Sequence, residues 1–383
     1  MVPFVEKKKL HKTPQALRII IAGGGTGGHL FPGIAIAQEF MARNPNSNVL
    51  FVGTGKPFET SILSELGFKH AKITAAGIKG RGTAKQALSI AKIPKGIFES
   101  IMILKRFKPD LVIGVGGYAA GPLVTGAWLL GIRIALHEQN ILMGITNRIL
   151  SRLADRIFIS FENTPLELNG RKVHLTGNPV RKEILQRNGN QKVSTVASFG
   201  KQRPFTILII GGSQGARGIN LAVMETAEYI REKDAFFFIH QTGVQDETMV
   251  KTAYQRCGIA GKVQAFFVDM ARQYQQADLV ICRAGATTVA EITAIGKGVV
   301  FIPFPFAADN HQVLNARTLT NAAAAEMILE KDLSGRVLAD KIEYFASNPE
   351  ALSQMAARAK DFGRPHAAAM IVDKCYNLIE SRF

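Results

Sequence analysis

The feature that most constrains the fold is a unit of apolar strand, glycine-rich turn and helix that occurs once in each half of the chain. The first copy, at 19–37, reads IIIAGGGTGGHLFPGIAIA, and the second, at 207–223, reads ILIIGGSQGARGINLAV. Uninterrupted apolar runs are typical of parallel strands that helices cover on both faces. The repeated unit therefore predicts two α/β halves with parallel sheets.

Short apolar runs alternate with helical stretches on both sides of a polar segment at 187–204, RNGNQKVSTVASFGKQRP. We interpret this segment as a linker between an N-terminal domain, 1–186, and a C-terminal domain, 205–365. Predicted strands lie at 18–22, 49–53, 111–115, 132–137, 157–160 and 172–176, and then at 205–210, 236–240, 263–268, 279–283, 299–303 and 325–328. The fold class is α/β, with two doubly wound, Rossmann-like parallel sheets facing across a cleft. Ligands in such folds lie at the carboxyl ends of the strands.

The two glycine turns are candidate phosphate sites, because backbone N–H groups can approach a ligand there and a helix N-terminus follows. Ser213 in the second turn can donate to a phosphate oxygen. A dinucleotide-binding oxidoreductase uses similar turns, but the second strand ends in VGTGK without an acidic ribose ligand. His29 follows the first turn at a helix start, where the helix dipole favours a neutral imidazole. A structural and a catalytic role for His29 both stay open.

Two further strand ends carry polar groups suited to a nucleotide sugar. In CRAGATTVAE, 282–291, small residues and hydroxyls precede a helix that carries Glu291. A carboxylate at this point can accept from two vicinal ribose hydroxyls, although a helix dipole alone also favours it. In PFPFAADNHQVLN, 303–315, Gln312 and Asn315 share a helix face and offer amides to sugar hydroxyls.

Metal and disulfide chemistry find little support in the sequence. The three cysteines, Cys257, Cys282 and Cys375, are odd in number and lack C-x-x-C spacing, which favours a reduced, cytosolic setting. His311 has no second ligand at metal-binding spacing, and the chain has no Asp-x-Asp pair for a divalent ion on a diphosphate. We expect no metal and no cofactor, with diphosphate charge met by helix N-termini, Arg181 and Arg283.

The net charge of +17 is concentrated in the first half of the chain. Residues 1–190 hold 26 Lys and Arg against 11 Asp and Glu, whereas residues 191–383 hold 21 against 19. A basic half attracts nucleic acid, an anionic membrane or a phosphorylated substrate. The segment 79–108 has eight basic residues among apolar ones, which fits a membrane-facing rim or an ordinary amphipathic helix. It holds only Phe98 and Phe107 as stacking aromatics, which disfavours nucleic acid.

Neither a signal peptide nor a membrane span is predicted. The apolar stretch after the basic start is interrupted by Arg18 and leads directly into the glycine turn. The uncharged run at 111–132 contains Pro122 and many glycines, a composition that fits strand, turn and helix better than a spanning helix. We expect a soluble chain.

Taken in order, the motifs resemble those of the bacterial N-acetylglucosaminyltransferase family that converts lipid I to lipid II in peptidoglycan synthesis. They are GGGTGGHLFPGIAIA, GVGGYAAGP, HEQN, TNR, TGNPVR, GGSQGA, HQTG, DM, CRAGATTVAE and DNHQ with LNA. The resemblance implies a GT-B fold whose C-terminal helix, 366–383, crosses back to the first domain. It also implies inverting transfer from UDP-N-acetylglucosamine to lipid I, undecaprenyl-pyrophosphoryl-N-acetylmuramoyl-pentapeptide. Another UDP-sugar transferase acting on a lipid acceptor is the nearest alternative.

The resemblance also implies roles for individual residues. His29 is the candidate general base. Donor contacts fall on Thr26, Gly27, Gly28, Asn140, Arg181, Ser213, Asn220, Phe267, Arg283, Ala286, Thr287, Thr288, Val289, Ala290, Glu291, Gln312 and Asn315. Acceptor contacts fall on Thr26, Gly27, Gly28, Tyr118, His137, Glu138 and Asn140. The implied location is peripheral, on an anionic surface at the cytoplasmic face of the bacterial inner membrane.

Overall fold

A computed structural model describes residues 15–76, 91–165, 170–189, 203–212 and 214–381. Its first half is built on a seven-stranded parallel sheet in the order β3-β2-β1-β4-β5-β6-β7. The strands are β1 (Arg18–Ala22), β2 (Asn48–Gly53), β3 (Lys69–Lys72), β4 (Leu111–Gly114), β5 (Arg133–Glu138), β6 (Arg156–Ile159) and β7 (Val173–Leu175).

The second half is built on a six-stranded parallel sheet in the order β10-β9-β8-β11-β12-β13. Its strands are β8 (Phe205–Ile210), β9 (Phe236–Gln241), β10 (Gly261–Gln264), β11 (Leu279–Cys282), β12 (Gly298–Phe301) and β13 (Glu326–Met327). In both sheets the strand order reverses beside the first strand of the half, at β1/β4 and at β8/β11. Each reversal opens a crevice at the carboxyl ends of the strands, directly below a glycine turn.

Helices cover both faces of each sheet, which explains the uninterrupted apolar strands. In β1, Ile19 and Ile21 enter one core while Ile20 and Ala22 enter the other, and all four are fully buried. The helices of the first half are α1 (Gly27–Arg43), α2 (Pro57–Glu65), α3 (Ile93–Phe107), α4 (Ala120–Leu129), α5 (Ile145–Leu150) and α6 (Lys182–Gly189). Those that follow are α7 (Arg217–Thr226), α8 (Glu247–Cys257), α9 (Met270–Gln276), α10 (Ala286–Ile295), α11 (His311–Thr320), α12 (Gly335–Ser347), α13 (Pro349–Asp361) and α14 (Ala367–Glu380).

Helix α14 packs against the first half of the molecule. Ile371 and Cys375, one turn apart on its apolar face, are fully buried in the same core as β1 and α1. The ring of Tyr376 lies 5.9 Å from that of Phe40, and its hydroxyl donates to the carbonyl of Gln15 at 3.2 Å. The chain therefore passes from the first sheet to the second and back again.

The structure corrects several predicted boundaries. Strand β3 was not predicted, because its sequence KHAK is polar, as suits an exposed edge strand. The strand expected at 263–268 ends at Gln264. Helix α6 extends to Gly189, so the predicted linker begins inside a helix, and its residues 190–202 lie outside the described part of the chain. Within the described residues, no helix is both long and apolar enough to cross a membrane.

Candidate active site

A cavity of about 630 Å³ opens between the two sheets, at the carboxyl ends of their strands. Both glycine turns line it, together with the first turns of α1 and α10. Many of the predicted site residues meet here: Thr26, Gly27, Gly28, His29, Asn140, Arg181, Arg283, Ala286, Thr287, Thr288, Glu291 and Gln312. His311 also lines the cavity.

The first glycine turn depends on close packing behind it. Gly23 has φ +147°, and a Cβ there would lie 2.4 Å from the carbonyl oxygen of Gly116. A Cβ on Gly24 would lie 2.5 Å from the carboxylate of Glu59, which is buried beneath the turn. Burial raises the pKa of Glu59, while hydrogen bonds from the backbone of Thr54, Gly25 and Lys56 act in the opposite direction. The turn is thus held from behind, by the buried acid and by the Gly23 N–H, which donates to the carbonyl oxygen of Val52 at 3.1 Å.

His29 lies in the first turn of α1, and a glutamine from the end of β5 holds its ring. Its Nδ1 is 3.1 Å from Oε1 of Gln139. Gly116, with φ +88°, gives the ring its space, because a Cβ there would lie 2.9 Å from Nδ1 and Cε1 of the imidazole. The side chain of Thr26 makes no capping bond at the start of α1, so this helix end stays available to an anion.

Behind the cleft wall, His137 and Glu138 are almost fully buried. Burial lowers the pKa of His137 to about 4, and its Nε2 lies 3.3 Å from the carbonyl oxygen of Gly177. The Glu138 carboxylate accepts from the backbone N–H groups of Asn140 at 3.0 Å and Gly144 at 3.1 Å. Both residues shape the wall from outside the cavity, and Tyr118, which is exposed, also lies outside it.

On the opposite wall, Glu291 is buried and fully engaged. Its Oε1 accepts from Nε of Arg181 at 3.2 Å and from Nη2 at 2.9 Å, and its Oε2 accepts from the hydroxyl of Tyr274 at 3.0 Å. The guanidinium of Arg181 also lies 4.3 Å from the ring centre of Phe31 in α1. Arg181 follows Val180, which is buried with Ile184 in the core of the second half, so this ion pair lies on the second-half wall and the contact with Phe31 is the one that reaches across the cleft.

Arg283 is held in a carbonyl-rich corner. Its Nη1 donates to the carbonyl oxygens of Ile302 at 3.1 Å and Pro303 at 3.2 Å, and it forms an ion pair with Glu330. The guanidinium lies 5.4 Å from the ring centre of Phe304, whose N–H donates to Oε1 of Gln312 at 2.9 Å. Arg283 is therefore oriented before any ligand arrives.

Two contacts close the bottom of the cleft. The Thr287 hydroxyl donates to the carbonyl of Gly28 at 3.1 Å. Asn315, predicted as a donor contact, is fully buried: it accepts from the Ile141 N–H at 3.2 Å and donates to Oδ1 of Asn140 at 3.3 Å. In this structure Asn315 joins the domains and does not line the cavity.

Other predicted donor residues also lie away from the cavity. Asn220 is fully buried, and its amide donates to the Thr242 carbonyl at 2.9 Å and to Asp246 at 2.8 Å. Phe267 is buried in the core of the second half. Val289 packs in that core on the far side of α10, and with Ala290 it lines a separate cavity. Ser213 lies outside the described residues.

Sequence reasoning missed Gln139, Tyr274 and Glu330, the partners that orient His29, Glu291 and Arg283. Gln139 lies within HEQN, so its neighbours could have drawn attention to it. Nothing in the sequence marks the other two. Among the residues that the structure describes, no group of three His, Cys, Asp or Glu side chains is arranged to hold a metal ion.

Comparison with known proteins follows the same division into halves. Residues 19–159 match the model of the glycosyltransferase family 28 N-terminal domain, and residues 206–371 match that of the glycosyltransferase family 28 C-terminal domain. The chain belongs to glycosyltransferase family 28. The predicted enzyme class is confirmed, and the oxidoreductase alternative is set aside.

Curated relatives and solved structures agree with this assignment. A protein of Syntrophus aciditrophicus named UDP-N-acetylglucosamine–N-acetylmuramyl-(pentapeptide) pyrophosphoryl-undecaprenol N-acetylglucosamine transferase is 45% identical, over 95% of this chain and 99% of its own length. A protein of the same name from Geobacter sp. strain M21 is 48% identical over 93% and 95%. The crystal structure of Acinetobacter baumannii MurG superposes with a TM-score of 0.72 at 30% identity, covering 95% of this chain and 99% of that one. The GT-B fold is thereby confirmed.

Proposed function

We propose that this family 28 glycosyltransferase moves N-acetylglucosamine from UDP-N-acetylglucosamine to the 4-hydroxyl of the muramoyl sugar of lipid I. The product is lipid II, the precursor of peptidoglycan, on which cell shape and division depend. Relatives that are 42–48% identical over most of the chain and carry the matching transferase name support this proposal. The observation that carries the chemistry is a cleft with His29 on one wall and Glu291 on the other.

The second domain is the proposed donor side. The start of α10 and Arg283 would meet the diphosphate, because helix N-termini and guanidinium groups stabilise phosphate charge. Glu291 would accept from the ribose hydroxyls. Arg181 and Tyr274 already bind that carboxylate, so ribose binding requires Arg181 to release Oε1 while Tyr274 keeps the carboxylate oriented. Gln312, with an amide at the cavity wall, is placed for the sugar hydroxyls.

The first domain is the proposed acceptor side, with His29 as general base. Nε2 of His29 takes the proton of the acceptor 4-hydroxyl, and the oxygen attacks the anomeric carbon on the face opposite to UDP. The bond between the anomeric carbon and the diphosphate oxygen breaks, and UDP leaves with the electron pair. The configuration at the anomeric carbon is inverted. Charge on the departing diphosphate is met by backbone dipoles and arginine.

The first domain also presents an apolar surface that we propose binds the anionic cytoplasmic face of the bacterial inner membrane. Helices α3, α4 and α5 pack together, and each leaves large apolar side chains exposed. Phe98 and Met102 of α3 are 64% and 59% exposed, Trp128 of α4 is 52% exposed and Ile149 of α5 is 63% exposed. Apolar groups surrounded by lysines suit an anionic lipid surface. Residues 79–90 of the basic segment lie outside the described residues.

The decisive experiment measures UDP release from UDP-N-acetylglucosamine with and without lipid I, for the wild type and His29→Ala. We expect release that depends on lipid I, and a fall in kcat of about 100-fold or more in the variant with donor affinity retained. Lipid-I-independent release, or another lipid giving faster turnover, would contradict the proposed acceptor. Full turnover by His29→Ala would remove the base role alone.

The diphosphate contacts named above include no metal ion, and we expect turnover to persist in excess EDTA. A control with EDTA presaturated by Ca²⁺ separates chelation from a direct effect of EDTA. Loss of activity with EDTA and its recovery with Mg²⁺ would contradict this expectation.

The membrane proposal is tested by sedimentation with anionic vesicles. Lys92→Glu, Lys95→Glu and Lys105→Glu together should weaken binding strongly, since each lysine near such a surface contributes about 1 kcal/mol. The matched control, Arg256→Glu, Lys331→Glu and Arg336→Glu, makes the same change in net charge on the second domain. Equal losses in the two triple variants would mean that overall charge, and no particular face, governs binding.

A further inference from the structure

We propose that Gln139 is a positioning residue that fixes the tautomer of His29, with the proton on Nδ1 and the lone pair of Nε2 toward the cleft. The inference deepens the proposed role of His29 as general base and rests on it for its catalytic consequence. Gln139 was not among the predicted site residues.

The backbone settles which way the amide of Gln139 points. Nε2 of Gln139 lies 2.9 Å from the carbonyl oxygen of Val115. A carbonyl oxygen can only accept, so the atom facing it must be the NH₂ group. Oε1 therefore faces His29, where it lies 3.1 Å from Nδ1. Because an amide oxygen can only accept, Nδ1 of His29 must donate.

His137 fixes the same orientation from the other side. Its Nε2 lies 3.3 Å from the carbonyl oxygen of Gly177 and must carry a proton to donate to it. In the neutral ring Nδ1 is then bare, and it lies 3.0 Å from Nε2 of Gln139, from which it accepts. Burial lowers the pKa of His137 to about 4, so the ring stays neutral near pH 7. In a protonated His137, the Nδ1–H would face the NH₂ group of Gln139, so two donors would oppose each other.

The ring of His29 is thus held through one nitrogen and open at the other. Gly116 packs against the Nδ1 and Cε1 edge. Among the described residues, no group hydrogen-bonds to Nε2, and His29 lines the cleft. A neutral imidazole has one donor and one acceptor nitrogen, and the bond made by one sets the role of the other. Gln139 therefore presents the acceptor to the substrate.

The consequence for catalysis concerns the chemical step and leaves donor binding unchanged. A His29 with its proton on Nε2 would offer a donor to the acceptor hydroxyl and could not receive its proton. The groups that contact the ring, Gly116 after β4 and Gln139 after β5, are uncharged. His137 is the titratable group that acts on it electrostatically.

The test begins with the tautomer itself. Long-range ¹H–¹⁵N spectra of the full chain, labelled at histidine, report which ring nitrogen carries the proton, and His29→Ala identifies the signal. We expect Nδ1–H in the wild type. In Gln139→Met, which keeps the volume but removes the acceptor, we expect the proton to redistribute to Nε2. The kcat should fall on the order of 10- to 1000-fold with KM for UDP-N-acetylglucosamine unchanged within about 2-fold.

Gln139→Glu supplies the opposite change. One oxygen of its carboxylate also accepts from Nδ1–H, so the tautomer should persist, and the negative charge stabilises the imidazolium. The other oxygen cannot donate to the Val115 carbonyl or to Nδ1 of His137 and should turn away from them. The acid limb of the kcat–pH profile should therefore move to higher pH, a shift that a purely structural role would not produce. Gln38→Met is the matched control. Gln38 lies on the same helix as His29, but its amide donates to Glu183 and does not contact the imidazole of His29. Thermal melting establishes that each variant is folded.

The outcomes separate this proposal from the proposed function. Nε2–H in wild-type His29, or Gln139→Met with an unchanged tautomer and kcat, overturns the role of Gln139. Full activity of His29→Ala together with Nδ1–H in the wild type removes the general-base role but supports the tautomer assignment. Should Gln139→Met fail to fold, the wild-type spectrum and the pH profile of Gln139→Glu still decide.

Discussion

In both domains the penultimate residue of a central strand is a buried histidine, and the two histidines lead to different places. In the first domain His137 of β5 contacts Gln139, which in turn contacts His29 in the cleft. In the second domain His240 ends β9 and contacts Asn220 and Tyr254, each at 3.0 Å. The first network is open to a bound molecule, whereas the second is closed within the protein.

The difference follows from where the amide partner sits. Gln139 comes two residues after His137 on the same strand end, so its side chain reaches across the crevice to α1. Asn220 lies on α7, behind the second glycine turn, and its amide donates to the Thr242 carbonyl and to Asp246. Two domains with similar topology thus place the same kind of group differently, one beside the proposed general base and the other behind the second glycine turn.

Breaking the closed network should have the largest effect. In Asn220→Leu, the N–H of His240 and the carbonyl of Thr242 lose their partner, and the buried Asp246 loses one of two donors. We expect a loss of about 4 kcal/mol in the free energy of unfolding, measured in urea. Donor affinity of the folded fraction should change little. A small loss of stability with a 10-fold loss of donor affinity would return Asn220 to the donor site.

Acid should act on both networks in the same direction. Burial lowers the pKa of His137 to about 4, so the folded state binds fewer protons than the unfolded state between that pH and about 6.5. Stability is then lost as the pH falls through this range, by about 3 kcal/mol for this residue. Burial also lowers the pKa of His240, to about 3, with the same sign. Urea titrations at several pH values give the free energy of unfolding, which should depend less steeply on pH in His137→Gln than in the wild type. An unchanged pH dependence would contradict the lowered pKa of His137.

The smallest effect comes from the loss of one tyrosine hydroxyl in the second domain. Tyr274→Phe removes one hydrogen bond to Glu291, and we expect the Kd for UDP-N-acetylglucosamine to rise by a factor of about 5, equivalent to about 1 kcal/mol. The matched control is Tyr254→Phe, which removes the hydroxyl that contacts His240 in the closed network. It should lower stability by a similar amount without changing donor affinity, as calorimetry would show. Equal effects on affinity would contradict a role for Tyr274 at the donor site that is separate from the closed network.

Much of the fold was predictable because buried parallel strands have an unmistakable composition. The runs at β1 and β8 read as apolar throughout, since their side chains enter cores on both faces. The edge strand β3 was missed because exposed, polar KHAK has no such pattern. Length and polarity likewise indicated a linker near 187 but could not show that α6 continues to Gly189.

The site was predictable where function depends on local geometry. Glycine turns, His29 at a helix start and Glu291 one turn into α10 are visible in sequence, and the structure gathers them around one cavity. Asn220 was assigned to the donor by resemblance, yet its partners come from β9 and the loop after it. The roles of Gln139 and Tyr274 depend on which atoms distant strands bring within 3.1 Å, and that is a tertiary property.

Helix α14 makes the first domain the last to be completed. Its side chains Ile371 and Cys375 belong to the core around β1, which is made near the start of synthesis. On the ribosome, residues 205–361 hold a whole sheet with its own helices, and they can fold while the earlier domain still lacks part of its core. The first domain therefore has an uncovered core face until the ribosome has synthesised and released residues 367–380. Truncation before α14 should expose that face and make the nascent first domain prone to aggregate, whereas the second domain should be unaffected.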